Sequence, residues 1–520
     1  MLIIILLAGL AFAYGLYSYL YVPLFLSPLN SFPTPHWSCS ISSFFILRAR
    51  KQGSENRVLH EAHARYGPVV RIAPNALSVD GVDAIRTVYQ RGFEKWSWYS
   101  IFNNYGAPCI FSSLGLKEHS LRKRVISHLY SKSFIQSSPA LKAQSRAVLQ
   151  GRLLPLLQRE AACSDRQGTE MQSILMATTM DLISAFIFGM RVSTNFLECE
   201  AYRRHWLSLY LVRHHNHFWP QELPTLTWLC LKLGIRLYPS YVDAANKELR
   251  DWNMQLCNKA RDYLLSGEKS AYSHQPEDEP VVFQALHKAA QVEARAPSAT
   301  SQQLLPVASE TLDQVLAGHE TAGIALTYLT WRLSQSLTLQ TQLRAELVSL
   351  KPSTVGVNGT LPDAKALDEL PLLHAIVMET LRLHAPIPGP QPRQTPYPSS
   401  CIGGVQVPGG VRIAALAHTL HLNETTYPDP ERWDPSRWLE GEGCETARRD
   451  MIRHFWAFGS GGRMCLGSNF AMNEIKFIAA LIYSNFRTSI VQDDGIKQTG
   501  GYSARPQRNE LFLKLTPVEC

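Results

Sequence analysis

Apolar and polar residues alternate along this chain in three distinct patterns. Leu2 to Leu26, LIIILLAGLAFAYGLYSYLYVPLFL, carries no charge. A run of that length spans a hydrocarbon core of about 30 Å as one helix. Residues 140 to 270 read as mostly helical from the three- and four-residue recurrence of apolar positions, and they include the apolar run Met176 to Met190. The same spacing predicts helices over Val58 to Tyr66, from His119 to His128, and from Pro371 to His384. It also predicts an apolar helix from Asn469 to Ile482 and a long one from Pro306 to Ser334, which carries Leu312, Val315, Leu316, Ile324, Leu326, Leu329 and Leu333. Val69 to Val79 reads as two strands around a Pro74-Asn75 turn. Gln406 to Ala414 and Leu511 to Leu515 are predicted as further strands. The predicted fold class is mainly α with a small β-rich subdomain, plus one N-terminal transmembrane helix.

Charge and cysteine usage narrow this picture. A formal net charge of +8 over 520 residues is modest and points to an anionic membrane surface or acidic partner, not to nucleic acid. Ten cysteines are dispersed without a C-x-x-C pair, as expected of reduced thiols in a cytosol-facing protein. The apolar N-terminus lacks the basic leader of a signal peptide and reads as a retained anchor. Tyr14, Tyr17, Tyr19 and Tyr21 suit a membrane interface, and the first cations beyond it, Arg48, Arg50 and Lys51, orient the bulk of the chain to the cytosol. Ser27 to Pro35, with Pro28, Pro33 and Pro35, reads as a semi-rigid spacer. The resulting organisation is residues 1–28 anchor, 29–40 linker and 41–520 one large domain. Gln275 to Pro280 and Glu293 to Gln303 are polar connections. Tyr202 to Tyr241 is rich in aromatics and holds His214, His215 and His217, but no carboxylate or cysteine completes a tetrahedral metal set with them.

The candidate chemistry centres on Phe458-Gly459-Ser460-Gly461-Gly462-Arg463-Met464-Cys465-Leu466-Gly467. One cysteine lies in a glycine-rich loop just before a predicted helix, with Arg463 two residues earlier. A helix N-terminus and a nearby cation favour the thiolate. A lone thiolate without a second cysteine or histidine suits a single axial ligand on haem iron. The spacing F-x-x-G-x-R-x-C-x-G resembles the haem-binding signature of the cytochrome P450 family. Three more segments resemble that family, in its order. They are Ala317-Gly318-His319-Glu320-Thr321-Ala322-Gly323, Glu379-Thr380-Leu381-Arg382, and Pro430-Glu431-Arg432-Trp433. The Arg71-Ile72-Ala73-Pro74-Asn75 hairpin adds a fungal flavour.

The resemblance implies a catalytic domain holding haem b, with Cys465 as the iron ligand and Phe458, Gly459 and Arg463 in the cofactor-binding loop. His119, Lys123 in the register of the family's arginine, and Arg393 are the implied propionate partners. Ala385 to Pro390 is the implied extended segment beside the haem. Glu320 and Thr321 are the implied catalytic pair: Thr321 would hold dioxygen and a water where the glycines widen the helix, and Glu320 would connect to solvent protons. Glu379, Arg382 and Arg432 would form a buried triad that locks the cysteine loop. Trp96 to Phe111 either covers the substrate or is an ordinary hydrophobic loop.

The implied reaction inserts one oxygen atom from O2 into a lipophilic organic substrate by hydroxylation, epoxidation or multistep oxidation. Electrons would come from NADPH through NADPH-cytochrome P450 reductase, with cytochrome b5 as a further donor. The reductase would dock on a basic face that includes Arg453, Lys476 and Arg122 to Arg124. The implied setting is the endoplasmic reticulum membrane and secondary metabolism, with sequons Asn358 and Asn423 unmodified. Two alternatives stand beside this: a reductase-independent haem-thiolate isomerase or dehydratase, and a membrane-tethered haem sensor without turnover.

Overall fold

The computed structural model describes residues 2–163, 168–267, 275–294, 304–350, 360–439 and 445–518. Residues 295–303 and the Asn358 sequon lie outside them. The N-terminal helix runs over Leu2–Leu16 and continues as a wider helix over Tyr17–Leu26. Its apolar side chains stand exposed, and Ile3–Ser31 is apolar enough to cross a membrane. The helix Met171–Phe188 is also apolar enough, but it is buried. Its apolarity serves a core packed on all sides, which is why it shows no clean polar face.

That helix lies along Leu304–Ser334, the longest among the described residues, and the two form the spine of the fold. Pro371–Leu383 and Ser468–Asn485 pack against the same spine. The sequence suggested that Gly318 and Gly323 widen the long helix. Instead the helix is continuous, and the glycines set how closely it meets its neighbour. A Cβ at Gly318 would lie 2.6 Å from Ile183 Cγ1, and one at Gly323 would lie 2.4 Å from Met176 Sδ. The glycines are contact positions between two helices.

The β-rich part is a five-stranded sheet. Its order is Val69–Ala73, Ala76–Val79, Arg412–Ala414, Arg393–Gln394 and Glu94–Lys95. The first two strands form the expected hairpin, while Ala76–Val79 and Arg412–Ala414 run parallel. Ala385 to Pro390 forms no strand of its own and contributes one bridge, Pro390 to Leu416. A second sheet joins Phe512–Pro517 with Phe486–Gln492 and Thr169–Glu170.

The expected spacer is packed down. Leu29 and Phe32 are buried in an apolar cluster with Leu77, Val79 and Val407. Arg71, wholly buried, donates to the carbonyl of Pro23 at 3.3 Å and to the Asn30 side chain. Prolines limit a segment's conformations without deciding whether it is solvated, and the apolar Leu29 and Phe32 brought this one down onto the sheet.

Candidate active site

A cavity of about 800 Å³ lies between the long helix and the cysteine loop. Both faces of the predicted site line it: Ala317, Gly318, Glu320 and Thr321 on one side, Phe458, Gly459, Arg463 and Cys465 on the other. These segments are more than 130 residues apart in the chain, and the fold brings them together.

The cysteine loop is shaped by its backbone. The N–H of Cys465 donates to Phe458 O at 2.9 Å, and that of Gly459 to Trp456 O at 3.0 Å. Gly459 and Gly461 have φ of 68° and 70°, in the left-handed region that favours glycine. A Cβ at Gly461 would lie 2.3 Å from the carbonyl of Tyr89, whereas one at Gly459 would meet nothing within 4 Å. Gly461 seats the loop on the protein, and Gly459 leaves its cavity side bare. Cys465 retains accessible surface although protein surrounds it, so the surface it offers faces the cavity. Burial pushes its thiol up, and the Gly467 N–H and Lys123 pull it down by less. The neighbouring arginine is therefore not its electrostatic partner, contrary to the sequence reading. Arg463 turns away and donates to the carbonyls of Ser113 and, at 2.6 Å, Leu114. Lys123 takes the nearer place, with Nζ 3.1 Å from Gly462 O and 3.3 Å from Met464 O.

Five basic groups gather at one rim of the cavity: Lys95, His119, Lys123, Arg393 and Arg463. Among the described residues none of them is ion-paired. Lys95 was not foreseen. It sits in a two-residue strand, its Nζ 4.0 Å from the ring centroids of Tyr99 and Phe111, and burial followed by Arg393 and Arg463 hold it well below an ordinary lysine. His119 is pushed down to about 3 by burial and then by Arg463 and Lys123. Arg393 donates to Tyr99 Oη at 3.2 Å, and Arg463 Nε is buried without a partner. Such a concentration of basic groups without an acidic partner is expensive unless an anion completes it. The two propionate carboxylates of a haem ligated by Cys465 would fit this donor set.

The acid of the long helix departs from expectation. Glu320 does not open to solvent: Arg505 ion-pairs with one of its oxygens and Tyr210 donates to the other. Burial favours its neutral form, but Arg505 leads a set of opposing groups that hold the carboxyl down at about 2. Arg505 lies far along the chain, so only the tertiary structure shows the pairing. Thr321 is half-buried and lines the cavity, and its hydroxyl donates back to Ala317 O at 2.9 Å.

Behind the loop, Glu379 and Arg382 form a fully buried two-pronged pair at 2.8 and 2.7 Å. The expected third member is wrong. Arg432 is largely exposed and lends only its carbonyl to Arg382, at 3.1 Å. Arg437, five residues on, holds the place with Nε 3.5 Å from Glu379 Oε1. It follows the Asp434–Pro435 bend, which turns the chain back onto Glu379 through the Asp434 N–H at 2.9 Å. The lock reaches the cysteine loop through a short relay. Arg382 donates to His421 O at 2.8 Å, and His421 Nε2 accepts the Trp456 N–H at 2.8 Å. Lys476, expected on a docking face, is buried and paired with Asp368 at 2.6 Å. Arg453 and Arg124 remain exposed.

This geometry agrees with sequence comparison. A family profile described as Cytochrome P450 matches residues 33–510, and the chain belongs to that family. It is similar to Cytochrome P450 monooxygenase FGM1 of Gibberella zeae, 27% identical over 512 residues, covering 96% of this chain and 93% of the relative. It is also similar to Tryprostatin B 6-hydroxylase of Aspergillus fumigatus, 27% identical over 478 residues, 90% and 77% covered. Cytochrome P450 monooxygenase avaI of Aspergillus versicolor is 28% identical over 429 residues, 79% and 93% covered.

Proposed function

We propose that this protein is a haem-thiolate monooxygenase that inserts one atom of O2 into a largely apolar organic substrate, in fungal secondary metabolism. The observation that carries this reading is Cys465 facing the Ala317–Thr321 wall across a cavity rimmed by five basic groups. Haem, when bound, supplies the oxygen-activating redox chemistry. The chain's own residues bind and orient. Cys465 would ligate the iron, and Lys123 holds the loop that carries it. Lys95, His119, Lys123, Arg393 and Arg463 take up the propionates, His119 as a neutral donor. The Thr321 hydroxyl, already turned along the helix, is the group on that wall placed to pass a proton into the cavity. Glu320 with a pKa of about 2 is a poor proton donor at neutral pH, so its role is to fix the helix, Tyr210 and Arg505 in place.

Electrons from NADPH arrive through a flavin reductase on the proximal surface near Arg453 and Arg124, with cytochrome b5 as a further donor. The setting is the endoplasmic reticulum, with the domain on the cytosolic side. The helix Pro224–Lys232 supports a membrane-facing substrate route, for it exposes Leu226, Trp228, Leu229 and Leu231. It continues from Phe218–Glu222, which packs on Phe44–Lys51 close to the anchor.

The test is spectroscopic. Reduced protein with carbon monoxide is expected to show a Soret band shifted far to the red, and Cys465→Ala is expected to lose it. A wild type without that band overturns the haem-thiolate assignment. Reductase-dependent NADPH oxidation that yields an oxygenated product separates a monooxygenase from an isomerase or a sensor.

A further inference from the structure

Two arginines in the distal wall have no role in the machinery above. Arg213 lies in the last turn of the helix Glu200–His215, and Arg250 in the helix Tyr241–Gly267, which packs against it. Both line the cavity, half-buried. Among the described residues neither guanidinium has a hydrogen bond, an ion pair or an aromatic face. Other cations nearby are engaged: Arg505 is held by Glu320, and Lys247 by Asp251, the residue next to Arg250. The backbone of Arg250 is fixed in turn, its carbonyl accepting from Tyr105 Oη at 2.6 Å.

The pair is only partly neutralised through space. Burial works against the charge on Arg213, Tyr210 and Asp313 oppose that, and Arg250 adds repulsion. The carboxyl that faces Arg213 is Asp313, on the long helix. Burial and then Glu310 push Asp313 up to about 7. Glu310 is itself raised by burial and is occupied by Gln314 and the Ile110 N–H at 2.8 and 2.7 Å. Two guanidinium groups without an acidic partner, facing one cavity from packed helices, form a donor set suited to an anion. They are distinct from the rim cations, which belong to other elements: the strands Glu94–Lys95 and Arg393–Gln394, the helix Leu116–Ile126, and the cysteine loop.

We infer that the substrate is an amphiphile: an apolar body presented to the Thr321 wall, and a carboxylate held between Arg213 and Arg250 at its far end. The planar fork of arginine matches a carboxylate in two bonds, and two forks on packed helices fix its direction. The carboxylate would set which carbon reaches the reacting position, so the pair would govern regiochemistry as well as affinity. This inference rests on the haem-thiolate reading.

The experiment uses full-length holoenzyme and a series of ω-(imidazol-1-yl)alkanoic acids of graded chain length, each with its methyl ester. The imidazole nitrogen ligates haem iron and shifts the Soret band, so binding is read spectrally without turnover. At one chain length the acid is expected to bind at least about tenfold tighter than its ester, about 1.4 kcal/mol. Arg213→Ala and Arg250→Ala are expected to remove that advantage while leaving ester affinity unchanged, and Arg213→Lys to keep part of it. The inference is overturned if acid and ester bind alike at every length, or if the advantage survives in the double alanine variant. A protein that gives no red-shifted carbon monoxide band fails the underlying reading instead, and the two failures are thereby distinct.

Discussion

Replacing Arg437 with alanine is expected to loosen the cysteine loop, and replacing Arg432 is expected to do almost nothing. Glu379 is completely buried and accepts from Arg382 twice, from the Asp434 N–H, and from Trp438 Nε1 at 2.9 Å. Arg437 adds an ionic contact at 3.5 Å with its side chain 12% exposed, and donates to Asp429 O at 3.0 Å. A mostly buried ionic contact without an aligned hydrogen bond, with one backbone hydrogen bond, is together worth about 2 kcal/mol. That corresponds to roughly a thirtyfold change in the equilibrium between held and released loop. The Arg432 side chain is 70% exposed and 3.9 Å from Asp434, a geometry worth less than about 0.5 kcal/mol. The assay is a urea titration of holoenzyme, following loss of the red-shifted carbon monoxide band. Arg437→Ala should lower the midpoint clearly, Arg437→Lys less, and Arg432→Ala within error of wild type. Equal shifts for Arg432→Ala and Arg437→Ala would refute the reassignment. Glu379→Ala sets the upper end of the scale: a buried guanidinium left without its partner should cost about 3–5 kcal/mol.

Other consequences are equally open to measurement. Gly318→Ala drives a methyl into Ile183 and should destabilise by about 1–3 kcal/mol, with partial recovery on adding Ile183→Val; calorimetry of the holoenzyme checks both, and a neutral Gly318→Ala would contradict the close helix contact. Glu320→Gln strands the buried cation of Arg505 and should destabilise more than the double variant Glu320→Gln, Arg505→Gln, whereas a proton-relay role predicts that the double variant is no better in turnover. Asp313 is raised to about 7 by burial and Glu310, so it is largely neutral below that pH and gains a negative charge facing Arg213 above it. The ratio of acid to ester affinity, in which protonation of the probe's own imidazole cancels, should therefore fall as pH rises through about 7, and Asp313→Asn should flatten that ratio.

Local pattern alone determined a good deal of this protein. The uncharged run Leu2 to Leu26 reports a membrane-length helix because it combines sufficient length with the absence of any charged residue. The long helix through Thr321 and the helix after Cys465 were visible from periodicity, because i, i+3 and i+4 spacing marks a buried face wherever the helix finally packs. The spacing around Cys465 was legible because loop, glycines and ligand all lie within ten residues. So was the Glu379–Arg382 pair, one helical turn apart.

The remaining features depended on residues distant in sequence. The choice of Arg437 over Arg432 depended on a bend at Asp434–Pro435 that no charge pattern reveals. Glu320 reads as a proton donor until Arg505, 185 residues away, is seen to neutralise it. Gly318 and Gly323 read as helix defects until Ile183 and Met176 arrive against them. Lys95 and the pair Arg213 and Arg250 carried no motif at all: a lone basic residue in a sequence is usually solvated, and only packing shows that these three face a cavity. Short-range geometry writes itself into spacing; which charges are buried together, and which are left without a partner, is decided when the elements meet.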